Sequence, residues 1–98
     1  MYGALRSREV DVISAFSTDG RIAAEGLVVL EDDRRVIPPY DAIILVSGRL
    51  AREHPDALAA LRGLAGTIDA AAMRRMNAAV DAEGRSPAEV AREFLERK

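Results

Sequence analysis

The sequence predicts an α/β fold, with a small, mainly parallel sheet and flanking helices. Three features of its 98 residues point there. β-Branched and other apolar residues cluster twice before Pro38-Pro39, at Val10–Phe16 and at Leu27–Leu30. A third apolar run, Ala42–Val46, follows the two prolines. Beyond it the chain turns Ala-, Leu- and Arg-rich, with its apolar residues at helical spacing.

Tyr2–Arg8 reads as the end of a helix. Val10, Val12, Ile13 and Ala15 predict a short strand over 10–16. Ser17-Thr18-Asp19-Gly20 is a turn cluster in which Thr18 or Asp19 caps a short helix over 21–24, and Gly26 breaks that helix. Leu27-Val28-Val29-Leu30 is an unbroken apolar run, the mark of a strand buried on both faces. Glu31–Arg35 reads as a solvated, charged loop with local ion pairs; it lacks the spaced ligands of a calcium loop. Pro38-Pro39 cannot lie inside a helix or a central strand, so it stiffens an extended connection. Ala42–Val46 is the third strand, ended by Ser47-Gly48.

Helices fill the remainder. Pro55 suits a first helical position and Asp56 the positive end of the helix dipole, so His54-Pro55-Asp56 opens a helix. Leu58, Leu61, Leu64 and Ala65 form its apolar stripe, and Gly66 closes it. Thr67 is read as the cap of the next helix, which sets Ile68, Ala72, Met73, Met76 and Val80 on one face before Gly84 stops it. Ser86-Pro87-Ala88-Glu89 is a capping box. Val90, Ala91, Phe94 and Leu95 then form an inner face. Three strands make a thin sheet, and strands this apolar suggest missing neighbours.

Composition narrows the function. A chain 49% hydrophobic and 31% charged is no disordered tail. No apolar run nears the roughly 18 residues of a membrane span, and Arg6, Arg8 and Glu9 interrupt what would be a signal peptide. The absence of cysteine excludes disulfides, thiol catalysis and Cys-based zinc sites. Fourteen basic against sixteen acidic residues, net −2, leave no basic excess for nucleic acid. No nucleophile–base pair, Gly-rich phosphate loop or metal-ligand spacing is visible, so neither enzyme activity nor a cofactor is expected. His54 is read as a surface or capping residue, Met73 and Met76 as core, and Arg74-Arg75 as a solvated face.

Two stretches carry more. Residues 10–22 (VDVISAFSTDGRI) and 27–33 (LVVLEDD), the latter followed by Pro38-Pro39-Tyr40-Asp41-Ala42, resemble the substrate-binding components of osmoprotectant ABC transporters. So does the helical tail, with Ile68-Asp69, Met73, Met76-Asn77, Val80-Asp81, Gly84 and Pro87–Ala91. The resemblance covers nearly the whole chain. It implies part of a type II periplasmic-binding-protein fold, in which two α/β lobes close on a ligand. Residues 1–36 would be the C-terminal part of the second lobe, and 37–98 the crossover and the C-terminal part of the first. The ligand implied is a quaternary amine (choline, glycine betaine or carnitine), the partner an ABC permease, and the location outside the cytoplasmic membrane.

A quaternary ammonium has no N–H to donate and no lone pair, so its site must use aromatic faces. In the family a cage of tyrosines does this, and Phe16 and Tyr40 stand where cage members are expected. Phe16 keeps the ring face and loses the hydroxyl that Tyr would bring. Ser17 and Thr18 would add polar contacts. Glu25-Gly26 and Ile43-Ile44 depart from the family pattern. Tyr2 is read as helix packing, and without the resemblance Phe16 and Tyr40 would also pass for core aromatics. Two other readings stay open. One is a self-associating interaction module, a homodimer that covers unfinished edges by dimerisation or segment swapping. The other is a small phosphate-binding α/β domain built on Ser17–Arg21.

Overall fold

The computed structural model describes residues 1–98, and every regular element in it is a helix. The elements are α1 (Tyr2–Arg6), α2 (Gly20–Ala24), α3 (Gly48–Glu53), α4 (Pro55–Arg62), α5 (Ala70–Asp81) and α6 (Pro87–Glu96). They fall into two compact units. Met1–Val29 and Ala70–Lys98 form the first, and Leu30–Asp69 the second.

The expected sheet is absent. Val10–Phe16, Leu27–Leu30 and Ala42–Val46 contain no strand. A strand exists through its hydrogen-bonded ladder with a neighbour, and these three runs do not pair with one another. Apolarity reported a tendency to be buried, which is a different property from pairing. Here the runs are not buried either: Val28 is 85% and Leu45 86% exposed.

The first unit is built on α5. Its buried apolar residues are Tyr2, Ile22, Ala78, Ala79 and Val90. α2 has five residues, too few to hold a helix alone, so packing must hold it. Gly20 provides the contact. A Cβ there would lie 2.5 Å from the backbone nitrogen of Ala78 and from the backbone carbon of Asn77. The two helices therefore approach main chain to main chain, which the small Ala78 and Ala79 permit. α2 closes in a Schellman turn: Leu27 N–H donates to the Ile22 carbonyl at 2.9 Å, with Gly26 at φ +63°.

α5 begins at Ala70, so the expected Thr67 cap and the place of Ile68 on its face are both overturned. The Thr67 hydroxyl instead donates to the Leu64 carbonyl at 2.8 Å and closes the preceding turn. Met73, Met76 and Val80 are half-buried, as a core-facing stripe should be. The capping box at Ser86 forms in full. Ser86 Oγ accepts from the Glu89 amide at 3.2 Å, and the Glu89 carboxylate accepts from the Ser86 amide at 3.0 Å. Of the expected inner face of α6, Val90 is buried and Phe94 half-buried, while Ala91 and Leu95 are exposed. Glu93 ties α6 to the preceding turn through Arg85 at 2.7 Å, and also pairs with Arg97.

The second unit holds a helix that the sequence reading missed. Ser47 ends no strand: its Oγ accepts from the Leu50 amide at 3.1 Å and caps α3. His54 is the exposed junction between α3 and α4, with Pro55 at the first helical position as expected. α4 stops at Gly63 rather than Gly66. In the charged loop, Asp32 accepts from the Ile37 amide at 2.7 Å, and this bond, followed by that from Val36, holds its carboxyl below the usual range.

Candidate functional site

The loop Phe16–Asp19 joins the irregular segment after α1 to the start of α2, and each of its residues has a fixed task. Asp19 N–H donates to the Phe16 carbonyl at 3.0 Å and closes the turn. Asp19 Oδ1 accepts from the Arg21 amide at 3.2 Å, so Asp19, and not Thr18, is the cap of α2. Two side chains from α5 reach the loop's main chain. Arg74 Nε donates to the Ser17 carbonyl, and Asn77 Nδ2 donates to the Thr18 carbonyl at 2.7 Å.

Phe16 projects from this braced loop and is 69% exposed. Ser17 beside it is exposed and Thr18 half-buried. Tyr40 belongs to the second unit and is 87% exposed. Neither aromatic is a core residue of its own unit. The structure thus groups Phe16, Ser17 and Thr18 on one loop, with Tyr40 on the other unit.

Tyr2 behaves as expected of a packing residue. It is buried, and the Arg21 guanidinium carbon sits 5.5 Å from its ring centroid, a cation–π distance. Its hydroxyl is buried beside the Asp19 carboxylate, with no hydrogen bond of ordinary length. Burial, followed by the nearby Asp19 carboxylate, raises its pKa above 10. Arg6 pairs with Glu25 at 3.6 Å across the same region.

Between α2 and α5 lies an open groove of about 360 Å³, floored by Ile22 and Leu27 and edged by Arg74 and Arg75. Arg75 is exposed, in line with a solvated face, but Arg74 is half-buried and spoken for by Ser17. The sequence reading missed the roles of Arg74 and Asn77. Their spacing of three puts them on one face of a helix, and Asn77 lies in the family-like tail, but neither signal points to the loop before α2. No group of three or more His, Asp or Glu side chains could hold a metal ion.

The family OpuAC, described as the substrate binding domain of ABC-type glycine betaine transport system, matches residues 1–97. The chain belongs to this family. Among curated members, the carnitine transport binding protein OpuCC of Listeria monocytogenes is 36% identical over 97 residues, which are 99% of this chain and 32% of OpuCC. A glycine-betaine-binding protein of Pseudomonas aeruginosa is 35% identical over 95 residues, 97% of this chain and 30% of that protein. The ergothioneine transport permease/ergothioneine binding protein EgtU of Helicobacter pylori is 33% identical over 96 residues, 98% of this chain and 17% of EgtU. A crystal structure of a glycine betaine/carnitine/choline ABC transporter matches with a TM-score of 0.91 and 43% identity, over 98% of this chain and 35% of that one. The chain therefore spans about a third of the length of its carnitine- and betaine-binding relatives. No helix in it is long and apolar enough to cross a membrane.

Proposed function

We propose that this chain supplies part of a binding site for a quaternary-amine osmoprotectant (choline, glycine betaine or carnitine) that is taken up through an ABC permease. The exposed ring of Phe16, on a braced loop, carries the reading. A large aromatic at that exposure costs solubility unless its face has a use. A quaternary ammonium can bind only through dispersion and the negative face of a π system. Tyr40, also exposed, offers a second such face. Ser17 and Thr18 supply polar contacts beside Phe16. Each ring contributes about 0.5–2 kcal/mol to holding a cation, so the chain's own share of affinity is modest. Delivery to the permease sets the place of action outside the cytoplasmic membrane.

Asp19 speaks against the phosphate reading. Its carboxylate occupies the start of α2, where an anion would have to sit. The exposed apolar runs favour a second property, self-association as a homodimer. Val28, Leu30, Ile43 and Leu45 are each at least 75% exposed. Sedimentation at rising concentration would show a dimer; a monomer at millimolar concentration defeats that property alone.

Isothermal titration calorimetry with choline, glycine betaine and carnitine tests the ligand reading, with Phe16→Ala and Tyr40→Ala as variants. Binding of one amine that either variant weakens supports it. Binding that neither variant alters, or no binding with ligand raised to about 100 mM, removes it.

A further inference from the structure

We infer that Arg74 and Asn77 are positioning residues: from one face of α5 they hold the main chain of Ser17 and Thr18 and so set the loop that presents Phe16. The two donors stand three residues apart on α5 and reach the carbonyls of consecutive residues, 57 and 59 positions away in the chain. They grip the loop's main chain and not its side chains. The Asn77 bond is part-buried, so water replaces it poorly once it is lost.

Two neighbouring contacts make the grip rigid. Gly20 lies against the backbone of Asn77 and Ala78, so the loop's end and α5 cannot slide past each other. Asp19 N–H closes the turn onto the Phe16 carbonyl. Residues 16–20 are thus held at each step. A loop fixed before its ligand arrives loses less freedom on binding. That consequence for affinity rests on the ligand reading above; the clamp itself rests on the hydrogen bonds.

Asn77→Asp isolates the clamp. The substitution keeps the shape and replaces the donating amide with a carboxylate that can only accept. In acid the carboxyl regains an O–H donor, so the defect should reverse with pH. The readout is deuterium exchange at the Asp19 amide, taken as variant over wild type at each pH, with the Val90 amide of α6 as reference. The expected result at pH 7 is about tenfold faster exchange at Asp19 with Val90 unchanged. The ratio should return toward one below about pH 4, the ordinary aspartate range. Unchanged exchange at Asp19 overturns the clamp. So does acceleration that reaches Val90 equally and persists in acid, because that marks loss of packing throughout the unit. Arg74→Gln, which removes the guanidinium donor, should accelerate Asp19 in the same sense.

The three amines are then titrated into both proteins. An amine that binds wild type should bind Asn77→Asp about tenfold more weakly. Equal affinity with a loosened loop overturns the positioning role. If wild type binds none of them, the ligand reading and the positioning role fall together, while exchange at Asp19 still decides whether the clamp exists.

Discussion

The side-chain amide of Asn77 donates to the Thr18 carbonyl at 2.7 Å, and the backbone carbon of Asn77 lies 2.5 Å from where a Cβ on Gly20 would sit. One residue of α5 therefore both holds the loop before α2 and sets how closely α2 can approach. The exposed Phe16 is reached by following the chain back four residues from that contact.

Gly20→Ala should be the most damaging methyl in the chain. The atoms it would strike are main chain, which cannot swing aside, so α2 or α5 must shift. Overpacking of this kind costs about 1–3 kcal/mol. Gly3→Ala is the control: it lies in α1 with nothing within 4 Å, and should stabilise by about 0.5–1 kcal/mol. Urea unfolding of the two variants should move the midpoint in opposite directions. A shift of the same sign for both would count against the close approach of α2 to α5.

Tyr2→Phe should be tolerated. The ring is buried under Arg21, and the hydroxyl is buried beside Asp19 with no hydrogen bond of ordinary length. Removing it deletes a poorly satisfied polar group and keeps the apolar surface and the cation–π face. The expected gain is at most about 1 kcal/mol in thermal or urea unfolding, because the weak contact with Asp19 is lost with the hydroxyl. In an ultraviolet pH titration of wild type, the Tyr2 phenol should ionise above its ordinary value of 10. A loss of stability in Tyr2→Phe would mean that the hydroxyl has a partner.

Acid should loosen α6. The Ser86 amide, followed by its hydroxyl, holds Glu89 below the usual carboxylate range, and Arg85, followed by Arg97, does the same for Glu93. A carboxyl whose folded-state pKa lies below its unfolded value stabilises fully above the unfolded value. That stabilisation is lost as pH falls through the folded one. Helicity by circular dichroism should therefore fall below about pH 4, and the double variant Glu89→Gln, Glu93→Gln should flatten the fall. Ser86→Ala should cost about 1 kcal/mol at neutral pH. A steeper acid transition in the double variant would contradict this reading of α6.

What could be read in the sequence was what neighbouring residues settle among themselves. The α6 cap lies within four residues, Ser86 to Glu89, and formed as expected. Pro55 at the start of α4 and Asp19 at the start of α2 are equally local. Strands are not local. Val10–Phe16, Leu27–Leu30 and Ala42–Val46 have the apolar character of strands, but a ladder needs a neighbour, and these runs are not one another's. Reading Ala42–Val46 as a strand also hid α3, because Ser47-Gly48 then looked like an ending when it is a capped beginning. Phe16, Ser17 and Thr18 could be singled out because the motif around them resembles a known family. The grip of Arg74 and Asn77 could not, because the donors are more than fifty positions from their acceptors; Asn77 lies in the family-like tail, but that resemblance does not say what it touches.

Aromatic faces of this chain that meet a quaternary ammonium can be detected directly by saturation-transfer NMR. The protein's aromatic protons are irradiated, and the N-methyl signal of choline, glycine betaine or carnitine is observed. With only four aromatic residues in the chain, the source of the transfer can be assigned by substitution. Transfer to the N-methyl protons, reduced in Phe16→Leu and in Tyr40→Leu and intact in Tyr2→Leu, is the predicted result. Absence of transfer from wild type to all three amines, or transfer that neither Phe16→Leu nor Tyr40→Leu reduces, would contradict it.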